Sequence, residues 1–148
     1  MKNVHVRWQP DADRFVADGT HQGHSLAINA PHDGTPTGFS ATELLLAGIG
    51  SCSAWDVVEI LRKGRQNVTA VDVTVSGEQA PDPPWPYLRI DVHYTVRGRR
   101  LRAAAVQKAV ELSCSRYCSV IATVRGVATV TPHVTVVEEP VAAQSATG

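Results

Sequence analysis

The chain of 148 residues contains three cysteines, at positions 52, 114 and 118, and chemistry would most readily be built on these residues. Cys52 follows the apolar run Leu44-Leu45-Leu46-Ala47-Gly48-Ile49-Gly50-Ser51, and Cys118 ends the stretch Leu112-Ser113-Cys114-Ser115-Arg116-Tyr117. A buried free thiol is by default an inert small hydrophobe, so a structural role competes with a chemical one at each position. Two thiols on separate helical segments, in a chain with so few of them, instead suggest a pair that closes into a disulfide. That is the signature of a thiol-redox enzyme. Cys114, one helical turn before Cys118, reads as structural.

The remaining candidates are weaker. His21, His24 and His32 share one loop-rich region, but their spacing matches no zinc signature, so no metal is expected. His24, within Gly23-His24-Ser25-Leu26, reads as lining a pocket or hydrogen-bonding within a strand. Arg97, Arg99, Arg100 and Arg102 read as a solvated turn rather than a phosphate site. Ser40-Ala41-Thr42-Glu43 is an S-x-x-E capping box, in which Glu43 satisfies the backbone N–H of Ser40; an active-site role for Glu43 can coexist with the cap. Trp55 reads as core or interface packing. With Leu45 and Ile49 it could also form an apolar wall beside Cys52.

The elements that must position these residues follow from hydrophobic period and turn chemistry. Residues 4–8 and 14–18 read as strands around a Pro10-Asp11-Ala12-Asp13 turn, and a third strand is expected from His24 to Asn29. A Gly-, Pro- and Thr-rich loop follows, from Ala30 to Phe39. The spacing of Leu45, Ile49, Cys52, Val57, Ile60 and Leu61 predicts a helix from Thr42 to about Gly64. Val71, Val73 and Val75, then Leu88, Ile90, Val92 and Tyr94, alternate with the period of two of half-buried strands, joined by a proline-stiffened loop. A second helix is predicted over Arg102 to Ser113, a third from near Arg116 to Arg125, and a last strand over Thr129 to Val137.

The predicted order is β-β-β-α-β-β-α-α-β, with strands and helices grouped, which defines the α+β class. No repeat or linker divides the chain, so a single domain is expected over residues 1–137 with a disordered tail at 138–148. Gly48 and Gly50 each weaken a helix by roughly 1 kcal/mol. They read as the place where another helix approaches closely, its symmetry mate being the simplest candidate, and a homodimer is expected.

Composition excludes several classes of function. Fourteen basic residues balance fourteen acidic ones, which gives no basis for binding nucleic acid or an anionic membrane. The N-terminus has no apolar core of a signal peptide, and the apolar window from 41 to 61 carries Glu43, Asp56 and Glu59, unlike a membrane span. Three cysteines do not make a secreted disulfide scaffold, so the cytoplasm is the expected location.

The segment from Phe39 to Cys52, followed by Trp55-Asp56-Val57-Val58 and Lys63-Gly64-Arg65-Gln66, resembles the osmotically inducible protein C (OsmC) family, which includes the organic hydroperoxide resistance proteins. Leu112-Ser113 through Tyr117-Cys118-Ser119-Val120 is similar to the second cysteine motif of that family, and the resemblance runs from about residue 5 to residue 137. It implies an intertwined homodimer with long central helices and active sites at the subunit interface. It also implies reduction of organic hydroperoxides by a cysteine pair, with Cys52 peroxidatic and Cys118 resolving. No bound cofactor is implied; the reductant would be an external dithiol such as a dihydrolipoyl group. A family arginine from the N-terminal strands would assist the thiolate, with Arg14 the candidate. The chain departs from the pattern at Ala41, where proline is frequent, and at Thr42, where the acidic partner of the peroxidases lies; Glu43 is one position later. The spacing is that of a divergent branch.

The chemistry itself makes parallel demands. The attacking thiol needs a lowered pKa, and its sulfenic acid must meet a second thiol before it is oxidised irreversibly. Cys52 lies about ten residues into its helix, too far for the N-terminal backbone dipoles to help, so an arginine such as Arg14 is expected to activate it. Cys118 near the start of a short helix suits the partner role. The alternative from a different class is a non-peroxidatic module that binds a small apolar or acyl ligand at the dimer interface.

Overall fold

In the computed structural model, which describes residues 1–21, 23–28 and 38–141, the elements follow the predicted order and give the predicted α+β class. Contacts cluster into two units, Met1–Leu45 and Leu46–Gly148. In the first, β1 (His5–Gln9), β2 (Arg14–Asp18) and β3 (Ser25–Ile28) form an antiparallel sheet in sequence order. A 3-10 turn at Pro10–Ala12 joins the first two, and Asp13 takes the left-handed φ of 42° that reverses the chain. Asn29 and the expected loop from Ala30 lie, up to residue 37, outside the described residues, as does the tail from residue 142.

Helix α1 spans Ala41–Lys63. Its start is the expected capping box. The Ser40 N–H donates to Glu43 Oε2 at 2.8 Å and the Glu43 N–H to Ser40 Oγ at 3.2 Å, a reciprocal pair that satisfies two otherwise unpaired donors. By length and composition α1 could cross a membrane. Its apolar stripe instead serves a protein core: Ile49, Gly50, Ser53, Val57 and Leu61 are buried at the i, i+3, i+4 spacing of one helical face.

That face packs on the sheet of the second unit. Strands β4 (Asn67–Gln79) and β5 (Tyr87–Arg99) form an antiparallel hairpin, and β6 (Thr129–Glu138) joins β5 in parallel. A parallel neighbour cannot be reached by a tight turn, and the crossover carries α2 (Ala103–Leu112), a π-turn (Ser113–Tyr117) and α3 (Ser119–Val124). Ile90, Val92, Tyr94 and Val96 of β5 are buried with Val106, Ala109 and Val110 of α2, as their spacing predicts.

Four expectations need correction. Leu88 is exposed rather than inward-facing, because the register shifts between Glu78 and Gln79: Glu78 pairs with Arg89 and Gln79 with Tyr87, so Leu88 is the extra residue of a bulge. The third helix starts at Ser119, not near Arg116, since residues 113–117 wind as a π-turn. Trp55 is 69% exposed in this chain, so of its two expected roles, core and interface packing, the core one is overturned. Gly50 admits a strand rather than a helix: a Cβ there would lie 3.1 Å from Val75 Cγ2 and 3.8 Å from Val73 Cγ1 on β4, whereas Gly48 faces Val120 of α3.

Candidate functional site

In the second unit, three donor atoms from separate parts of the sequence converge. The Cys52 and Cys118 sulfurs and an Asp56 carboxylate oxygen all lie within 4.8 Å of one another. Cys52 and Asp56 are four residues apart on α1, so they share one face of the helix. Cys118 reaches them from the crossover. It is the N-cap of α3, with an extended backbone (φ −69°, ψ 105°), and its sulfur accepts a hydrogen bond from the Ile121 N–H at 3.4 Å.

The π-turn gives Cys118 this position. Its wider ring is closed by the Cys118 N–H donating to the Ser113 carbonyl at 3.0 Å, five residues back. Buried Ser113 then ties the turn to α1: its hydroxyl lies 3.0 Å from Asp56 Oδ2 and 3.2 Å from the Ser53 carbonyl. From the sheet, the buried Tyr94 hydroxyl donates to Ser53 Oγ at 2.8 Å and lies 3.4 Å from Cys114 Sγ. Arg125 donates to the carbonyls of Cys114 and Ser115, fixing the same turn from outside. One polar network therefore fixes where each thiol stands.

The two thiols are displaced in opposite directions from the ordinary cysteine pKa. Burial alone pushes Cys52 up, but the Val120 N–H, the Cys118 thiol and the Ser119 hydroxyl together outweigh it. Against the opposing charge of Asp56, the Cys52 pKa is lowered below the ordinary 9.0. Burial pushes Cys118 up to about 11, with the Ile121 N–H opposing and Cys52 adding to the rise. Cys114 is also raised by burial, only partly offset by Tyr94 and Arg125. The site therefore has one thiol disposed to ionise beside one disposed to keep its proton.

Of the other residues singled out in the sequence, Ile49 is fully buried in the core, on the turn of α1 before Cys52. Trp55 lines an open hollow of about 520 Å³ with Asp56, Glu59, Ile60, Lys63 and Tyr117. The rest stand in the first unit. Glu43 caps α1, with its carboxyl held below the usual range by the Ser40 N–H and hydroxyl. Arg14 donates to Gln9 Oε1 at 2.8 Å, and His24 lines a hollow of about 470 Å³ with Val4, Val6, Leu26 and Leu44. His32 lies outside the described residues. Within this chain the groups that lower Cys52 are the Val120 N–H, the Cys118 thiol and the Ser119 hydroxyl. Asp56 stood in a quoted motif without a role; its i, i+4 relation to Cys52 was the available signal.

An α+β protein with a paired-thiol site is thus defined by its own geometry. A family model for OsmC, described as an OsmC-like protein, matches residues 32–133, and the chain belongs to this family. Among curated relatives, protein YhfA of Escherichia coli K12 is 46% identical over 81 residues, which is 55% of this chain and 60% of that relative's length. A solved structure of a hypothetical protein from Aquifex aeolicus VF5 is 28% identical with a TM-score of 0.83, covering 95% of this chain and 98% of its own. The organic hydroperoxide resistance protein OhrB of Bacillus subtilis shares the fold at 18% identity, with a TM-score of 0.63 and coverage of 91% and 98%.

Proposed function

We propose that this protein is a thiol-dependent peroxidase that reduces organic hydroperoxides with Cys52 and Cys118. The observation that carries the reading is the pair itself: two reduced thiols within 4.8 Å, from separate elements, with opposite pKa displacements. The Cys52 thiolate attacks the O–O bond, becomes a sulfenic acid and releases an alkoxide that takes a proton to leave as the alcohol. The Cys118 thiol then displaces water from that sulfenic acid, forming the disulfide before further oxidation. An external dithiol, for which a dihydrolipoyl group is the candidate, returns the disulfide to two thiols. Trp55 and Ile60 offer apolar surface to an alkyl group in a hollow they share with the charged Asp56, Glu59 and Lys63, and burial of each methylene is worth roughly 0.8 kcal/mol at most. A few carbons then give ten-fold or greater preference over hydrogen peroxide.

The fold shared with OhrB supports the reading, as does Cys114, whose sulfur is occupied by Tyr94. A homodimer fits the exposed Leu45 and Trp55 of α1, and the cytoplasm fits a cycle that depends on reduced thiols. The test is peroxide consumption by purified protein with a dithiol reductant. Wild type consumes cumene hydroperoxide, Cys52→Ser does not, and Cys118→Ser is trapped as a sulfenic acid by a dimedone-type probe. Equal activity of Cys52→Ser and wild type would place the chemistry elsewhere. No consumption by the wild type would leave the ligand-binding module as the better account.

A further inference from the structure

We propose that the reduced protein binds a zinc ion through Cys52 Sγ, Cys118 Sγ and the Asp56 carboxylate, leaving a fourth position for water. Among the described residues, this is the one group of His, Cys, Asp and Glu side chains that brings three donor atoms within 4.8 Å of one another. Zinc–sulfur and zinc–oxygen bonds of about 2.3 and 2.0–2.2 Å place tetrahedral donors roughly 3.3–3.8 Å apart. The site therefore needs only small side-chain rotations to close. The donor set favours zinc. Two thiolates attract any thiophilic cation, but a carboxylate in the third position suits a borderline divalent ion rather than copper(I).

The support behind the ligands is already built. The Ser113 hydroxyl at 3.0 Å from Asp56 Oδ2 orients the carboxylate as outer-shell donors orient metal ligands. That same hydroxyl is anchored beside the Ser53 carbonyl, whose residue is held by Tyr94. Cys52 and Asp56 are half-buried, which gives an ion access from solvent, while Cys118 forms the buried floor. Binding is acid–base chemistry without redox change: two zinc–sulfur bonds form and the thiol protons pass to solvent, while Asp56 binds as the carboxylate. The ion then occupies the sulfur lone pairs that would attack a peroxide or form the disulfide. Zinc and oxidation are thus mutually exclusive. This consequence rests on the peroxidase reading; the binding does not.

The test is titration of the reduced protein with Cd²⁺, whose thiolate-to-metal charge-transfer absorption counts bound thiolates, alongside Zn²⁺ calorimetry. One ion per chain with two thiolates is expected. Binding should be lost in Cys52→Ser and in wild-type protein carrying the disulfide, which requires no mutation. Asp56→Asn should weaken affinity at least ten-fold, and Ser113→Ala should weaken it about ten-fold at unchanged stoichiometry, with circular dichroism confirming the fold. Unchanged affinity in Asp56→Asn, full charge-transfer absorption in Cys52→Ser, or binding by the oxidised form would overturn the proposal. If zinc binds as described while metal-free protein consumes no peroxide, the site stands and the peroxidase reading falls. The reverse pattern sinks the site alone.

Discussion

Oxidation with one equivalent of an alkyl hydroperoxide should make this protein markedly more stable, by an amount the topology sets. A Cys52–Cys118 bond closes a loop of about 67 residues, for which loop-closure entropy gives about 4 kcal/mol of stabilisation. Closing the bond removes the contact between the two thiols and weakens the acceptor that Cys118 Sγ offers to the Ile121 N–H at 3.4 Å. Those losses cost about 1 kcal/mol, leaving about 3 kcal/mol. In a chain of this size each kcal/mol moves the thermal midpoint by roughly 2–4 °C, so the midpoint should rise by about 6–12 °C. Calorimetry of reduced and oxidised samples measures the rise, and peptide mapping of the same samples identifies the bond and shows Cys114 free. A mapped Cys52–Cys118 disulfide with an unchanged or lower midpoint would refute the claim that the pair closes without strain. A Cys114–Cys118 bond would refute the assignment of partners.

Three further outcomes follow from the same network. Asp56 opposes ionisation of Cys52, so Asp56→Asn should speed iodoacetamide alkylation of Cys52 at neutral pH in the presence of chelator; slower alkylation would reverse the assigned sign. Tyr94→Phe leaves the buried Ser53 without its 2.8 Å donor and should cost about 1–2 kcal/mol in urea denaturation, whereas no loss would mean the hydroxyl is dispensable. Cys118 binds its proton more tightly when folded, with a pKa of about 11 against 9.0. Its contribution is complete below pH 9 and lost as pH rises toward 11. Urea midpoints of the reduced protein should decline across that window, less steeply in Cys118→Ser, and an equal slope in the variant would exclude Cys118 as the cause.

The fold was legible because its strongest signals are local. The period of two in Val71, Val73 and Val75 marks β4, the apolar stripe of α1 marks a helix, and Ser40-Ala41-Thr42-Glu43 marks its first turn. What was missed depends on partners distant in sequence. Nothing around Leu88 announces a bulge, because the shift is defined by the pairing of Glu78 and Gln79 across the hairpin. Two glycines in one helix announce close approach without naming what approaches; Gly50 makes room for Val75, twenty-five residues away.

The site divides along the same line. Cys52 and Cys118 were legible as a pair because thiols are rare in this chain, and rarity survives without coordinates. The hydrogen-bond donors that lower Cys52 were not legible. An arginine was expected because a helix N-terminus was the only local alternative, and Cys52 lies too far from its own. The structure supplies the donors from another element: the π-turn ends the preceding helix and brings Cys118, Ser119 and the Val120 N–H onto the flank of α1. Ser113 matters for the same reason, since it starts that turn and its hydroxyl lies beside both Asp56 and the Ser53 carbonyl. A serine next to a cysteine motif looks like filler in the sequence. In the fold it links the helix that carries Cys52 to the turn that leads to Cys118.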